Sequence, residues 1–142
     1  MAQPASVTAV IEDFQALSLN ERLELLLEFS ENLPELPPRY LEHPDLLERV
    51  EECQAPVYLF VEVSPDSHVG LFFSAPPEAP TTRGFASVLH EALNGLSTTE
   101  VLELDPLFPD SLGLTAAVSP LRMNGMRGMI SRIKRQVKEK AA

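Results

Sequence analysis

The stretch VYLFVEVSPDSHVGLFFS, residues 57–74, contains two runs of β-branched and aromatic residues separated by turn residues. The runs at 57–63 and 69–74 are typical of strands, because such side chains pack well on a pleated surface. Between the runs, Ser64-Pro65-Asp66-Ser67 supplies residues that favour a reversal of the chain. The stretch therefore predicts an antiparallel β-hairpin.

Helical patterns precede the hairpin. Residues 7–17 place their apolar side chains on one helical face: Val7, Val10, Ile11, Phe14 and Leu17. Ser18 and Glu21 then form the S-x-x-E sequence of a capping box, which opens a second helix. Pro34 ends that helix, since proline disfavours helix at the residue before it. Residues 34–44 hold four prolines and predict an ordered connector.

Three further helices are predicted after the hairpin. Thr81 or Thr82 is predicted to cap the first, which Asn94-Gly95 ends. Ser97 and Glu100 form a second capping box, which starts a short helix to Leu104. Ser119-Pro120 begins the last helix, which is predicted to run to about Lys138. Its apolar stripe consists of Met123, Met126, Ile130, Ile133 and Val137.

The predicted order of elements, ααββααα, indicates an α+β fold in which helices pack a small antiparallel β-sheet. A length of 142 residues suits one domain over 1–142, with the termini at 1–5 and 139–142 expected to fray. No apolar run approaches the roughly 20 residues that span a bilayer, so we expect no membrane contact. No basic residue precedes an apolar core in residues 1–10, so we expect a cytoplasmic protein.

The charges separate along the chain. Residues 1–52 carry a net charge of -9 and residues 53–121 a net charge of -7, whereas residues 122–142 carry +6. An acidic body argues against nucleic acid as the main ligand, because neutralising phosphates dominates that affinity. The basic segment is interpreted as a solvated helix face or as a docking surface for an acidic partner.

Cys53 is the only cysteine, and it lies in the sequence VEECQAPV. One cysteine forms no internal disulfide and supplies too few ligands for a zinc ion or an iron–sulfur cluster. His43, His68 and His90 are widely spaced and match no metal-binding pattern, so neither a metal site nor a cofactor is expected. The polar neighbours of Cys53 suggest an exposed loop. The adjacent carboxylates at 51 and 52 should oppose its ionisation.

The first turns of the last helix contain residues that helices disfavour. Arg122 places a cation at the positive end of the helix dipole, and Gly125 and Gly128 each cost about 1 kcal/mol relative to alanine. One interpretation is that another group approaches the helix backbone here. The other is tight helix–sheet packing through the glycines with a solvated Arg122.

Four motifs in this order are typical of one family: LPEL at 33–36, ECQAPV at 52–57, TRGF at 82–85 and SPLRMNGM at 119–126. Over nearly its whole length the chain resembles SufE-type proteins, the sulfur acceptors and activators of cysteine desulfurases in iron–sulfur cluster assembly. The chain departs from the family pattern G-C-x-S-x-V-W, because Glu52, Ala55 and Tyr58 replace its glycine, serine and tryptophan.

The resemblance implies a SufE fold, similar to U-type scaffold proteins, and sulfurtransferase-type chemistry on Cys53 without a cofactor. The partners it implies are a SufS-type pyridoxal-phosphate cysteine desulfurase and a downstream iron–sulfur scaffold. It also implies a monomer or weak homodimer. Cys53 would form the persulfide and Arg122 would stabilise the charge. Four further residues would serve the loop or the partner: Gln54, Glu78, Arg83 and Gly125.

Three other functions are compatible with the residues themselves. A thiol hydrolase would need one of the three histidines within about 3 Å of the sulfur of Cys53. A cluster scaffold would have to build its cluster across subunits, because each chain has one cysteine. A non-catalytic adaptor would bind through its acidic body and would not need Cys53.

Overall fold

The computed structural model describes residues 3–141. It contains six α-helices: α1 (Ala5–Gln15), α2 (Leu19–Glu31), α3 (Pro38–Leu41), α4 (Pro80–Leu93), α5 (Thr98–Glu103) and α6 (Pro120–Ala141). Three strands form one sheet: β1 (Glu48–Arg49), β2 (Tyr58–Val63) and β3 (Val69–Ser74). The predicted α+β class is confirmed. The fraying expected at the termini falls partly on residues 1, 2 and 142, which lie outside the described residues, and it stays a prediction.

The predicted hairpin is confirmed, since β2 and β3 pair in antiparallel register from Tyr58↔Ser74 to Val63↔Val69. The sheet has one more strand than predicted, because β1 pairs with β2 at Glu48↔Leu59. A strand of two residues is too short to show the alternation that identifies strands in a sequence. This short strand leads directly into the loop that carries Cys53.

Both predicted capping boxes are confirmed: Ser18 accepts a hydrogen bond from the N–H of Glu21, and Ser97 from that of Glu100. The cap predicted at Thr81 or Thr82 is wrong, because α4 begins at Pro80 and Ala79 occupies the N-cap position without a side-chain hydrogen bond. The proline ring sets a helical φ at a position whose missing N–H would have no partner anyway, so it starts the helix unaided.

The ends of the last two long helices are close to expectation. Asn94 is the C-cap of α4, and Gly95 follows with a φ of +90°, a conformation that favours glycine. At the start of α6, Ser119 Oγ accepts from the N–H of Arg122 at 3.3 Å. Helix α6 continues to Ala141, beyond the predicted end at Lys138.

The proline-rich connector covers the outer face of the hairpin. It contains α3, whose Tyr40 ring lies with its centroid 4.9 Å from both Phe60 and Phe72. The buried residues of the inner face, such as Leu59, pack in one hydrophobic core with α4 and α6. No helix within residues 3–141 is long and apolar enough to cross a bilayer.

Candidate functional site

Cys53 lies between β1 and β2, and its side chain is buried with 7% of its surface exposed. The predicted exposed loop is present, but the thiol that it carries is buried. Its neighbours Glu51, Gln54 and Pro56 are exposed, as their types suggest, whereas the thiol turns inward. It packs against α6 at Gly125, where a Cβ atom would lie 2.9 Å from Sγ.

Glu52 packs against the second glycine of α6. A Cβ atom at Gly128 would lie 2.6 Å from the carboxyl carbon of Glu52, so only glycine leaves room for this carboxylate. The Nε of Arg132 donates to Glu52 Oε1 at 2.9 Å. The glycines allow tight packing within the chain: the Cys53 loop, which joins two strands of the sheet, lies against both of them, and Arg122 is exposed.

The strand ahead of the loop is held by the same helix. Arg132 donates to Glu48 at 2.6 Å, Gln136 donates to it at 2.9 Å, and Arg135 also contacts it. Burial raises the pKa of Glu48, but its hydrogen bonds from these three residues outweigh burial and leave that pKa below its ordinary value. The hydrogen bond from Arg132 likewise lowers the pKa of Glu52. Ionised carboxylates thus fasten residues 48–52 to α6.

A cavity of about 110 Å³ lies beside the thiol. It is lined by the Cys53 loop, the first turn of α4 and the beginning of α6: Cys53, Gln54, Ala55, Ala79, Thr82, Leu121, Arg122 and Gly125. Four residues singled out from the sequence therefore meet in one place, namely Cys53, Gln54, Arg122 and Gly125.

The two other residues singled out do not line the cavity. Glu78 is exposed in the loop before α4. Arg83 donates to the carbonyl of Ser30 at 2.8 Å and to that of Ala75, so it ties α4 to the ends of α2 and β3.

Sequence reasoning overlooks two contributors to the site. The contact of Arg132 with the Cys53 loop cannot be predicted from the sequence, because nothing near a basic residue on a solvated helix face indicates its partner. Thr82 is predicted only as a helix cap. The one sign in the sequence that it belongs to the site is its position in the TRGF motif.

The surroundings of the thiol oppose its ionisation. Burial raises the pKa of Cys53 to about 11, and the charge of Glu52 adds to this effect. Arg132 and Arg49 offset only part of the rise. A thiol with this pKa is almost entirely protonated near neutral pH, so Cys53 is a poor nucleophile in this structure.

The lining of the cavity bears on the hydrolase, which would need a histidine beside the thiol. Within the described chain no histidine lines it, which leaves a Cys–His hydrolase without its base. Across residues 3–141, no three His, Cys, Asp or Glu side chains converge in a way that could hold a metal ion.

The SufE family model, described as an Fe-S metabolism associated domain, matches residues 8–137. An uncharacterised SufE-like protein of Mycobacterium tuberculosis is 45% identical over 136 residues, covering 96% of this chain and 94% of the relative. A SufE-like protein of Rhizobium meliloti is 30% identical over 134 residues, covering 91% and 92%.

The solution structure of a hypothetical protein from Thermus thermophilus superposes with a TM-score of 0.86 at 35% identity, covering 99% of this chain and 98% of that one. The two chains therefore share one fold over almost their whole length. The chain belongs to the SufE family, and this membership supports a role in iron–sulfur metabolism with a cysteine desulfurase.

Proposed function

We propose that Cys53 accepts sulfur from a SufS-type pyridoxal-phosphate cysteine desulfurase, stimulates that enzyme and delivers the sulfur for iron–sulfur cluster assembly. The observation that carries the proposal is the cavity in which the chain's only cysteine meets Arg122. A free, reduced thiol of this kind suits the cytoplasm, where we place the protein as a monomer or weak homodimer.

The transfer is a displacement at sulfur. The Cys53 thiolate attacks the outer sulfur of a persulfide on the desulfurase, and a new S–S bond forms to Cys53. The bond between the outer sulfur and the donor cysteine breaks, and its electron pair leaves on the donor thiolate. The proton lost from Cys53 is available to that thiolate. No external oxidant or reductant is needed.

The closed loop sets the condition for this step. A thiol with 7% exposure offers no path for the in-line approach of a second protein's persulfide. The loop must therefore open when the desulfurase binds, and the hydrogen bond from Arg132 to Glu52 is the contact that opening breaks. A thiol that stays protonated until then is protected from unwanted oxidation.

Arg122 supplies the positive charge that the transfer needs. Its side chain is exposed at the cavity, and among residues 3–141 no carboxylate or carbonyl accepts from its guanidinium. A guanidinium without a partner is available to stabilise a sulfur anion by a charge-assisted hydrogen bond.

We expect Arg122→Ala to lower the rate of sulfur transfer about tenfold, the value of roughly one hydrogen bond to a charged group. The melting temperature should stay unchanged, because the guanidinium makes no hydrogen bond or ion pair to another group within residues 3–141. Arg127→Ala is the matched control, since Arg127 lies on the same helix but pairs with Asp110. Transfer is measured with ³⁵S-labelled cysteine and the desulfurase. Full transfer with a lowered melting temperature would assign Arg122 to the fold instead.

The proposal as a whole is tested by sulfide release from the desulfurase with and without this protein. Wild type should raise turnover, and Cys53→Ser should abolish the rise. A Cys53→Ser variant that stimulates fully would favour the adaptor, which binds through its acidic body and does not need the thiol. Both proteins should bind the desulfurase equally, which a pull-down checks.

A further inference from the structure

The first turn of α4 borders the Cys53 cavity through Ala79 and Thr82. This helix has 14 residues, and its N-cap Ala79 has no side-chain group to cap it. Within the described chain, the N–H groups of Thr81 and Thr82 have no acceptor. Open N–H groups at the start of a helix carry its positive partial charge and are suited to anions.

An independent observation at the same cavity points to the ligand. Cys53 is more than nine-tenths buried, lines the cavity together with Ala79 and Thr82, and makes no hydrogen bond through its sulfur to any residue of 3–141. The cavity, with about 110 Å³ of space for the centres of water-sized spheres, far exceeds the roughly 15 Å³ of such space that one water molecule needs. A second sulfur, bonded about 2.05 Å from Sγ, therefore fits there.

We infer that this cavity holds the terminal sulfur of the Cys53 persulfide as an anion, with the Thr82 hydroxyl and the open N–H groups of the α4 first turn as its donors. This rests on the proposed function, because it concerns the product of sulfur transfer. Thr82 thus contacts the transferred atom, whereas Thr81 belongs to the same turn but does not line the cavity.

The charged groups around the terminal sulfur come from α6 and from the Cys53 loop. Arg122 is the only charged residue in the lining and favours an anion. The negative charge of Glu52 disfavours an anion, and the positive charges of Arg132 and Arg49 partly offset this effect. Helix α4 brings no charged side chain to the cavity, so its contribution comes from the hydroxyl and the N–H groups.

The persulfide can be made without the desulfurase. The role of the cavity can therefore be tested separately from the identity of the sulfur donor. With inorganic polysulfide, in its simplest form HS–SH, the Cys53 thiolate attacks one sulfur and forms a new S–S bond. The S–S bond of the reagent breaks, and hydrosulfide leaves with the electron pair. The resulting Cys53–S–SH loses its proton to become the anion.

The test measures the pH dependence of alkylation of the loaded sulfur by iodoacetamide, followed by intact mass. Thr82→Val should raise the pH at which alkylation is half-maximal by about one unit, as expected for losing one hydrogen bond to a charge. At a fixed pH below both midpoints, the variant then has about tenfold less of the persulfide anion. Thr82→Ser keeps the hydroxyl and should match wild type, and so should Thr81→Val. The Ser variant also shows whether any shift comes from misfolding.

Equal midpoints for Thr82→Val, Thr81→Val and wild type would overturn the inference. A wild-type protein that gains sulfur from polysulfide but not from the desulfurase would refute the proposed partner and leave the cavity's role intact. A wild-type protein that gains sulfur from neither would overturn both.

Discussion

Replacing Arg132 with alanine is expected to raise the rate at which iodoacetamide alkylates Cys53 in the isolated protein by about tenfold. Near pH 8, a pKa of about 11 leaves on the order of one thiol in a thousand ionised. The remaining barrier is access, because 7% exposure makes the reaction wait for the loop to open. Arg132 is the residue that joins α6 to both Glu48 and Glu52.

Whether the alkylation rate of Arg132→Ala rises or falls distinguishes easier opening of the loop from the loss of a positive charge near Cys53. The charge of Arg132 lowers the pKa of Cys53, so removing that charge from a closed loop would slow alkylation. Losing the hydrogen bond to Glu52 acts the other way, because it makes opening easier. These side chains are 21% and 34% exposed, so solvent weakens the pair and the expected gain stays near tenfold. Only opening predicts an increase.

Arg135→Ala is the matched control for this experiment. Arg135 lies on the same helix as Arg132, and it contacts Glu48 and Glu139 but not Glu52. Its loss should change the alkylation rate much less than the loss of Arg132. A slower or unchanged rate for Arg132→Ala, measured by the growth of the alkylated species in intact-mass spectra, would show that Arg132 does not hold the loop closed.

Local sequence signals are enough for most of the fold. The hairpin at 57–74 and both capping boxes depend on residues close together in the chain, and all three are confirmed. The missed strand β1 has two residues and exists only because β2 lies beside it. Its pairing is a tertiary contact, which no short window of sequence contains.

The burial of Cys53 is likewise set by a tertiary contact that the local sequence does not contain. Its neighbours indicate a loop correctly, since Glu51, Gln54 and Pro56 are exposed. Whether the thiol points outward is decided by Gly125, which is distant in sequence and leaves room for it. The unusual glycines of α6 are visible in the sequence, but the group that approaches them is not.

The start of α4 is predicted wrongly, and the error concerns a turn that borders the Cys53 cavity. Thr81 and Thr82 resemble capping residues because threonine often caps helices. Both lie inside the first turn, and the capping position holds Ala79. The uncapped turn at the cavity follows from this arrangement and could not be anticipated from residue preferences.

The largest effect is expected from Cys53→Ser, because the proposed transfer forms a persulfide on this one sulfur atom. A serine oxygen cannot take its place as a sulfur acceptor. Serine is no larger than cysteine, so it fits beside Gly125 and the fold should persist, as a thermal melt will check. The variant therefore removes the chemistry and keeps the shape.

The most direct measurement is the intact mass of this protein after incubation with the desulfurase and free cysteine. Wild type is predicted to gain about 32 Da, the mass of one sulfur atom, and to lose it again on treatment with a reducing thiol. Cys53→Ser is predicted to gain nothing. An equal gain on Cys53→Ser, or no gain on wild type while the desulfurase is fully stimulated, would contradict the role of Cys53 as the sulfur acceptor.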